Sequence, residues 1–214
     1  KDMASPFREM TADEKGLFQE MLDGVHGQFK ADIARGRDMK LSLVNQYADG
    51  RIFNGDQAVE YGFADLLGGK TVAIEKAKEL GLTIKARMVT FAFAGVEPEV
   101  MGYGPVPSTI KALKKAGLDI TDIGLFEINE AFAIQVLSFL DHFGIADDDK
   151  RVNIYGGAIA VGHPLASSGV RLILNLANGF KEHPQVKYGI TTMCIGLGMG
   201  GTVIWENPNY KGDK

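Results

Sequence analysis

The sequence predicts an α/β protein in which a helix-rich segment leads into a layered sheet-and-helix region. Three observations carry that prediction. From about residue 84 onward, short β-type runs alternate with helical runs across short connections, the signature of α/β layering. Residues 1 to about 80 instead carry helical periodicity and capping signals. Glycine supplies 27 of 214 residues, roughly 13 % against a usual ~7 %, and eleven of the 27 fall at or beyond Gly156, part of them in loops between predicted elements.

The first predicted helix begins after Thr11, with Glu14 at capping-box spacing. It carries Leu17, Met21, Val25, Phe29 and Ile33 at successive i+4 steps and ends near Gly36. Asp49 to Gly55 carries turn signals on both sides of Ile52-Phe53. Short helices stop at Gly62 and at Gly81, the second spanning about Thr71 to Leu80. Ala86 to Ala94 alternates Val89, Phe91 and Phe93 as in a half-buried strand. Ser108 caps a predicted helix that ends at Gly117. Ile123 to Ile128 reads as a strand, and Asn129 begins a helix with Phe132, Val136, Leu140 and Phe143, stopped by Gly144. Val152 to Ile154 is a short strand. The loop Gly156 to Gly169 feeds a helix reaching about Phe180. Gly189 to Cys194 and Gly201 to Trp205 are β-type segments joined by Gly196-Leu197-Gly198-Met199-Gly200.

Composition excludes several classes of function. One cysteine allows no intrachain disulfide, which fits a reducing, cytoplasmic setting and excludes a cysteine-stapled scaffold. With 23 basic against 27 acidic residues, no nucleic-acid surface is expected. No apolar run approaches the ~18–20 residues of a membrane span, and no signal peptide is expected. No metal site is expected either. A first residue of Lys1 rather than Met suggests a fragment or processed product.

Three polar segments fall at predicted strand ends, where α/β folds place reactive groups. They are Asn129-Glu130-Ala131-Phe132, Gly156 through Pro164 with His163, and Cys194-Ile195-Gly196. A thiol, an imidazole and an amide that converge suit acyl transfer, with glycine N–H groups available to an oxyanion. The alternatives are a buried small hydrophobe for Cys194, a structural or exposed ring for His163, and a simple turn for the glycine run.

These segments, with Met101-Gly102-Tyr103-Gly104-Pro105-Val106-Pro107 before them, resemble in order and spacing the C-terminal half of a thiolase, an acetyl-CoA acyltransferase, over some 125 residues. The resemblance implies a mixed sheet with packed helices in residues 79–214. It implies thiolysis of 3-ketoacyl-CoA or acetyl transfer between CoA thioesters, as in fatty acid β-oxidation. Coenzyme A is then a substrate, and no covalently bound cofactor is expected. His163 matches the histidine that activates the acyl-carrying cysteine and binds the thioester oxygen. Asn129 matches the asparagine that holds a water there. Cys194 matches the second cysteine, which moves a proton at the acetyl-CoA carbon, and the Gly196 N–H serves the second oxyanion hole. Met101, Ala131 and Phe132 match the lining of the pantetheine channel. Lys111, Lys114 and Lys115 read as a solvated helix face, with CoA phosphate contacts as the alternative. Ala166 and Leu197 stand where many relatives carry glycine and read as tolerated variants. The family's nucleophilic cysteine belongs to its N-terminal half, so the chain alone is expected to be inactive. A complementing N-terminal half or a homo-oligomer is the expected partner, because the helix after His163 would otherwise leave Val170, Ile173 and Leu174 uncovered.

Residues 1–78 resemble the C-terminal part of a bacterial Ser/Lys signal peptide peptidase, of crotonase/Clp-like fold. The matching segments are Lys1 to Thr11, Asp49 to Ala58 and Gly62 to Gly68. Lys1 falls at that family's general-base position, but Ser5 and Ser42 lie in the wrong context to be its nucleophile. The join falls within Ala73 to Leu82. A peptidase remnant and a non-catalytic fusion are the alternatives to a thiolase-type acyltransferase.

Overall fold

The computed structural model describes residues 8–212, which separate into two compact units with the boundary between Leu82 and Thr83. Lys1 and Ser5 lie outside the described residues.

The first unit is helical. Helix α1 spans Ala12–Gly36, and Thr11 and Glu14 form the reciprocal capping box. Its C-terminal end is tied down by Arg37, which donates to the Gly62 carbonyl at 2.6 Å and pairs with Asp65 at 2.7 Å. Helices α2 (Leu41–Tyr47), α3 (Gly55–Glu60) and α4 (Lys70–Glu79) follow. Asn54 caps α3 through a second capping box with Gln57. Tyr47 stacks on Tyr61 and Phe53 on Phe63, yet Val44 is the single fully buried hydrophobic among the described residues here. The i+4 stripe of α1 is real, but Leu17, Met21, Val25 and Phe29 are all more than half exposed. Regular spacing makes the helix, but it does not provide a surface to bury the stripe.

The second unit is a four-stranded mixed sheet with helices on both faces. Strand β1 spans Arg87–Gly95, and α5 Pro105–Ala116 follows a 3-10 turn over Pro98–Tyr103. Strand β2 (Ile123–Ile128) leads to α6 (Ala133–Phe143), α7 (Ala158–Val161) and α8 (Leu165–Glu182). Strands β3 (Tyr188–Ile195) and β4 (Met199–Glu206) close the chain. The sheet order is β1-β4-β3-β2, with β2 and β3 parallel and the other pairs antiparallel. β2 is buried along nearly its whole length, as a strand covered on both faces should be. On one face Val106, Ala112 and Leu113 of α5 and Phe139 and Leu140 of α6 pack on Phe126, Ile128, Ile190 and Ile204. On the other, Leu176 and Phe180 of α8 pack on Leu125. At the start of α5 the backbone rests directly on β4. A Cβ on Gly200 would lie 2.0 Å from the Gly104 carbonyl carbon, so neither side of that contact tolerates a side chain.

Several local expectations are corrected. Helix α5 begins at Pro105, and Ser108 sits inside it, buried, sharing a hydroxyl network with Thr109, Thr192 and Thr202 at 2.7–2.9 Å. Helix α6 begins at Ala133 with Phe132 as its cap, which leaves Asn129 at the end of β2. Val152 makes only an isolated bridge to Phe126. In β1 the buried residue is Ala92, whereas Phe91 and Phe93 on the opposite face are about half exposed, beyond a register shift between Met88 and Thr90. Among the described residues no helix is long and apolar enough to cross a membrane.

Candidate active site

Ile128 lies opposite Thr192, so Asn129 and the end of β3 leave the parallel pair at the same edge, where α/β sheets open a crevice. The Asn129 N–H donates to the Thr192 carbonyl at 2.9 Å, and its side chain is almost wholly buried. Asn129 Nδ2 lies 3.3 Å from His163 Nε2. His163, two residues before α8, places Nδ1 2.6 Å from the buried Ser168 Oγ, which itself donates to the Pro164 carbonyl at 3.2 Å. With the serine proton committed to Pro164, Nδ1 is the ring's donor and Nε2 its acceptor. Asn129 Oδ1 is buried with no hydrogen-bond partner among the described residues. A lone carbonyl oxygen in that position is costly unless something that enters the site donates to it.

The loop that carries His163 is pinned to the end of β2. The Glu130 carboxylate accepts from Asn153 Nδ2 at 2.7 Å and from the Ile159 N–H at 3.0 Å. Asn153 in turn brackets Ile128, accepting from its N–H at 2.8 Å and donating to its carbonyl at 3.0 Å. A Cβ on Gly157 would fall 1.9 Å from the Glu130 carboxyl carbon, so only glycine admits that carboxylate. From α8, Arg171 Nη1 donates to the Gly162 carbonyl at 2.6 Å. One turn further, Asn175 donates to Glu127 at 3.2 Å. Burial pushes the Glu127 carboxyl up to about 7; the Asn175 hydrogen bond and the Arg171 charge oppose that shift, and the Glu130 charge adds to it.

Cys194 shares a face of β3 with Thr192, two residues away. It is half-buried, and its Sγ lies 3.7 Å from Oε1 of the buried Gln135 on α6. Burial pushes its thiol above the usual range, its own backbone N–H works against that, and no ionised side chain is among the causes. Gly196 is exposed at the start of the β3–β4 turn. Leu197 follows with φ 66° and Gly198 with φ 90°, so a leucine occupies a left-handed position that glycine adopts without strain.

Met101 is half-buried in the 3-10 turn, Ala131 is half-buried, and Phe132 is 56 % exposed. None of the three lines the groove of about 520 Å³ beside Glu130, Asn153 and Gly157. Lys111, Lys114 and Lys115 are exposed, and Lys111 and Lys115 donate to the Phe93 and Phe91 carbonyls at 3.2 and 2.8 Å, along the free edge of β1. Gln135, Ser168, Asn153 and Arg171 join the site with no local signal in the sequence. The one regular cue is that Ser168 follows His163 by five residues, across the start of a helix.

Residues 1–83 match the family described as Peptidase family S49, and residues 82–207 match Thiolase, C-terminal domain. A 3-ketoacyl-CoA thiolase of Photobacterium profundum is 55 % identical over 132 residues, which cover 61 % of this chain and 34 % of that protein. One from Escherichia coli O1:K1 / APEC is 50 % identical over 132 residues, with the same coverage. The crystal structure of a Bacillus anthracis acetyl-CoA acetyltransferase matches with a TM-score of 0.57 and 38 % identity, covering 62 % of this chain and 33 % of that one. The chain thus spans about a third of the length of the curated relatives it matches. Through residues 82–207, more than half its length, the chain belongs to the thiolase family.

Proposed function

We propose that residues 79–214 supply the C-terminal half of a CoA-thioester acyltransfer site, with the peptidase-like residues 1–78 as a separate domain. The observation that carries this reading is the relay from Asn129 through His163 to Ser168, with Asn129 Oδ1 left unpartnered beside it. His163 Nε2, held as the acceptor, takes the proton of the acyl-carrying thiol and, once protonated, donates to the thioester oxygen. Asn129 Oδ1 accepts from a water that completes that oxyanion hole. Cys194 removes a proton from the methyl carbon of acetyl-CoA in condensation and returns one to that carbon in thiolysis, while the Gly196 N–H stabilises the enolate oxygen. Met101, Ala131 and Phe132 line the pantetheine path. CoA enters as substrate, and the relatives named as 3-ketoacyl-CoA thiolases point to 3-ketoacyl-CoA as its counterpart. Such chemistry, with an unpaired thiol, fits the cytoplasm.

The sequence holds one cysteine, Cys194, so the acyl-carrying thiol must come from residues outside these 214. A thiolase N-terminal half is the complement that would supply it. That half, or a second copy of this chain, would also cover Leu165, Val170 and Leu174 of α8, which are 80 %, 59 % and 55 % exposed. The test is release of acetyl-CoA from a 3-ketoacyl-CoA and CoA, with this chain alone and with a folded thiolase N-terminal half added. Turnover is expected only in the mixture, and His163→Ala should lower it by roughly 10²- to 10⁴-fold. An inactive mixture overturns the reading, and full activity in His163→Ala removes that residue from the mechanism.

A further inference from the structure

Gln135 is 2 % exposed, its Oε1 lies 3.7 Å from Cys194 Sγ, and its Nε2 is buried with no partner among the described residues. Its stem is held in place: a Cβ on Gly102 of the 3-10 turn would sit 3.2 Å from Gln135 Cβ. The amide end is therefore fixed at the sulfur, while half of its hydrogen-bonding capacity goes unused. A buried amide N–H without a partner costs stability, and a leucine or methionine of similar volume would avoid that cost. The arrangement becomes economical once both states of the sulfur are considered. A thiol has a proton to give, and a carbonyl oxygen accepts it. A thiolate has none, and an N–H is what it needs. The two ends of a primary amide exchange places by a half-turn about its terminal bond, with no movement of the backbone or stem.

We propose that Gln135 is a positioning residue for Cys194, its amide accepting from the thiol through Oε1 in one orientation and donating Nε2–H to the thiolate in the other. Proton transfer at the substrate carbon cycles Cys194 between those two forms, so a partner that serves both suits the step. No ionised group takes part in setting the thiol, whose shift comes from burial and from its own backbone N–H. Gln135 is thus the one side chain in hydrogen-bond contact with the sulfur, among the described residues, that can favour the charged form. This inference rests on the reading of Cys194 as the proton-transferring cysteine.

Cys194 is the only cysteine, so its alkylation by iodoacetamide, in which the thiolate displaces iodide to form an S–C bond, reports the thiolate directly in the full chain. Gln135→Met keeps the volume and removes the amide. Gln135→Glu keeps an acceptor but, once ionised, has no N–H to give. Both variants should shift the pH profile of alkylation to higher pH, slowing the rate near pH 8 by roughly three- to tenfold, the effect of one lost hydrogen bond. Wild-type profiles in both variants would overturn the proposal. If neither variant folds, the Gln135 Nε2 protons of the wild type provide the readout by NMR. Their resonances should move as Cys194 titrates and should not move in Cys194→Ala; resonances that ignore pH, or move equally in both, overturn it. Failure of the acyltransfer reading shows separately, as no Cys194-dependent deuterium uptake into the acetyl-CoA methyl group while the alkylation shift persists.

Discussion

Residues 8–82 and 83–212 use similar helical sequence signals to very different effect. The 25-residue α1 has a reciprocal capping box and a regular apolar stripe, yet none of its residues is buried. The 18-residue α8 has no side-chain cap, yet it buries Ser168, Leu172, Leu176, Ala177, Gly179 and Phe180. The difference is the sheet. A helix laid on β2 and β3 removes apolar area from water, and the same surface lets polar side chains be buried at its edge in fixed positions. Asn129, Glu127, Gln135 and Ser168 are all buried, and all belong to the sheet-bearing unit. A site of fixed geometry therefore forms where a core exists to hold it, and the fully capped α1 has no such role.

The largest expected effect tests that contrast directly. Phe126 is 1 % exposed at the centre of β2 and packs in the main core cluster. Phe126→Ala should cost the second unit about 3–5 kcal/mol through lost burial and the cavity left behind. The single tryptophan, Trp205, lies on β4 and reports that unit alone. Urea unfolding followed by Trp205 fluorescence should shift to lower denaturant. Far-ultraviolet circular dichroism, to which helices of both units contribute, should follow Trp205 in one phase and show a second phase, from residues 8–82, whose midpoint does not move. One shared transition, moving as a whole, would break the contrast between the units.

A smaller effect distinguishes polar burial from apolar burial. Glu127 has its carboxyl raised from 4.5 to about 7, chiefly by burial. Between those values the folded chain holds a proton that the unfolded chain releases, so this group's contribution falls as pH rises from about 4.5 to about 7 and is level above that. The loss is at most about 3 kcal/mol, because each tenfold change in proton affinity is worth about 1.4 kcal/mol. Glu127→Gln should match the wild type near pH 4.5 and exceed it in Trp205-detected stability at pH 8. Parallel pH curves for the two proteins would show that the Glu127 carboxyl is not held in its protonated form.

How much of this is legible in the sequence follows from the reach of each interaction. The Thr11–Glu14 box, the stops at Gly117 and Gly144 and the span of β2 are local, and the sequence carries them plainly. Ser108 and Asn129 have the chemistry of helix caps, and local reasoning places both at helix starts that the fold does not have. Ser108 bonds to Thr202, 94 residues away, and Asn129 to His163, 34 residues away. Val89, Phe91 and Phe93 show the strand period, but period alone does not say which face is covered, and the small Ala92 is the buried one. His163, Asn129 and Cys194 are legible through their motifs. Of their supports, Ser168 offers only its five-residue spacing from His163, and Gln135 offers nothing, because no spacing rule joins a helix residue to a strand 59 positions later.

The smallest expected effect concerns the exposed stripe of α1. Leu17 is 61 % exposed. Leu17→Ser therefore removes little buried area and should change the stability of the first unit by about 0.5 kcal/mol or less, the scale of surface substitutions and helix propensity. The far-ultraviolet midpoint in dilute protein is the measure. A cost of about 2 kcal/mol or more would mean that the stripe is covered in solution, and protein concentration then identifies the cover. If a second copy supplies it, the wild-type midpoint rises with concentration by mass action and the Leu17→Ser midpoint does not. A midpoint insensitive to concentration would place the cover within the same chain. α1 would then be a core helix like α8, and the contrast between the two units would rest on the sheet's polar edge alone.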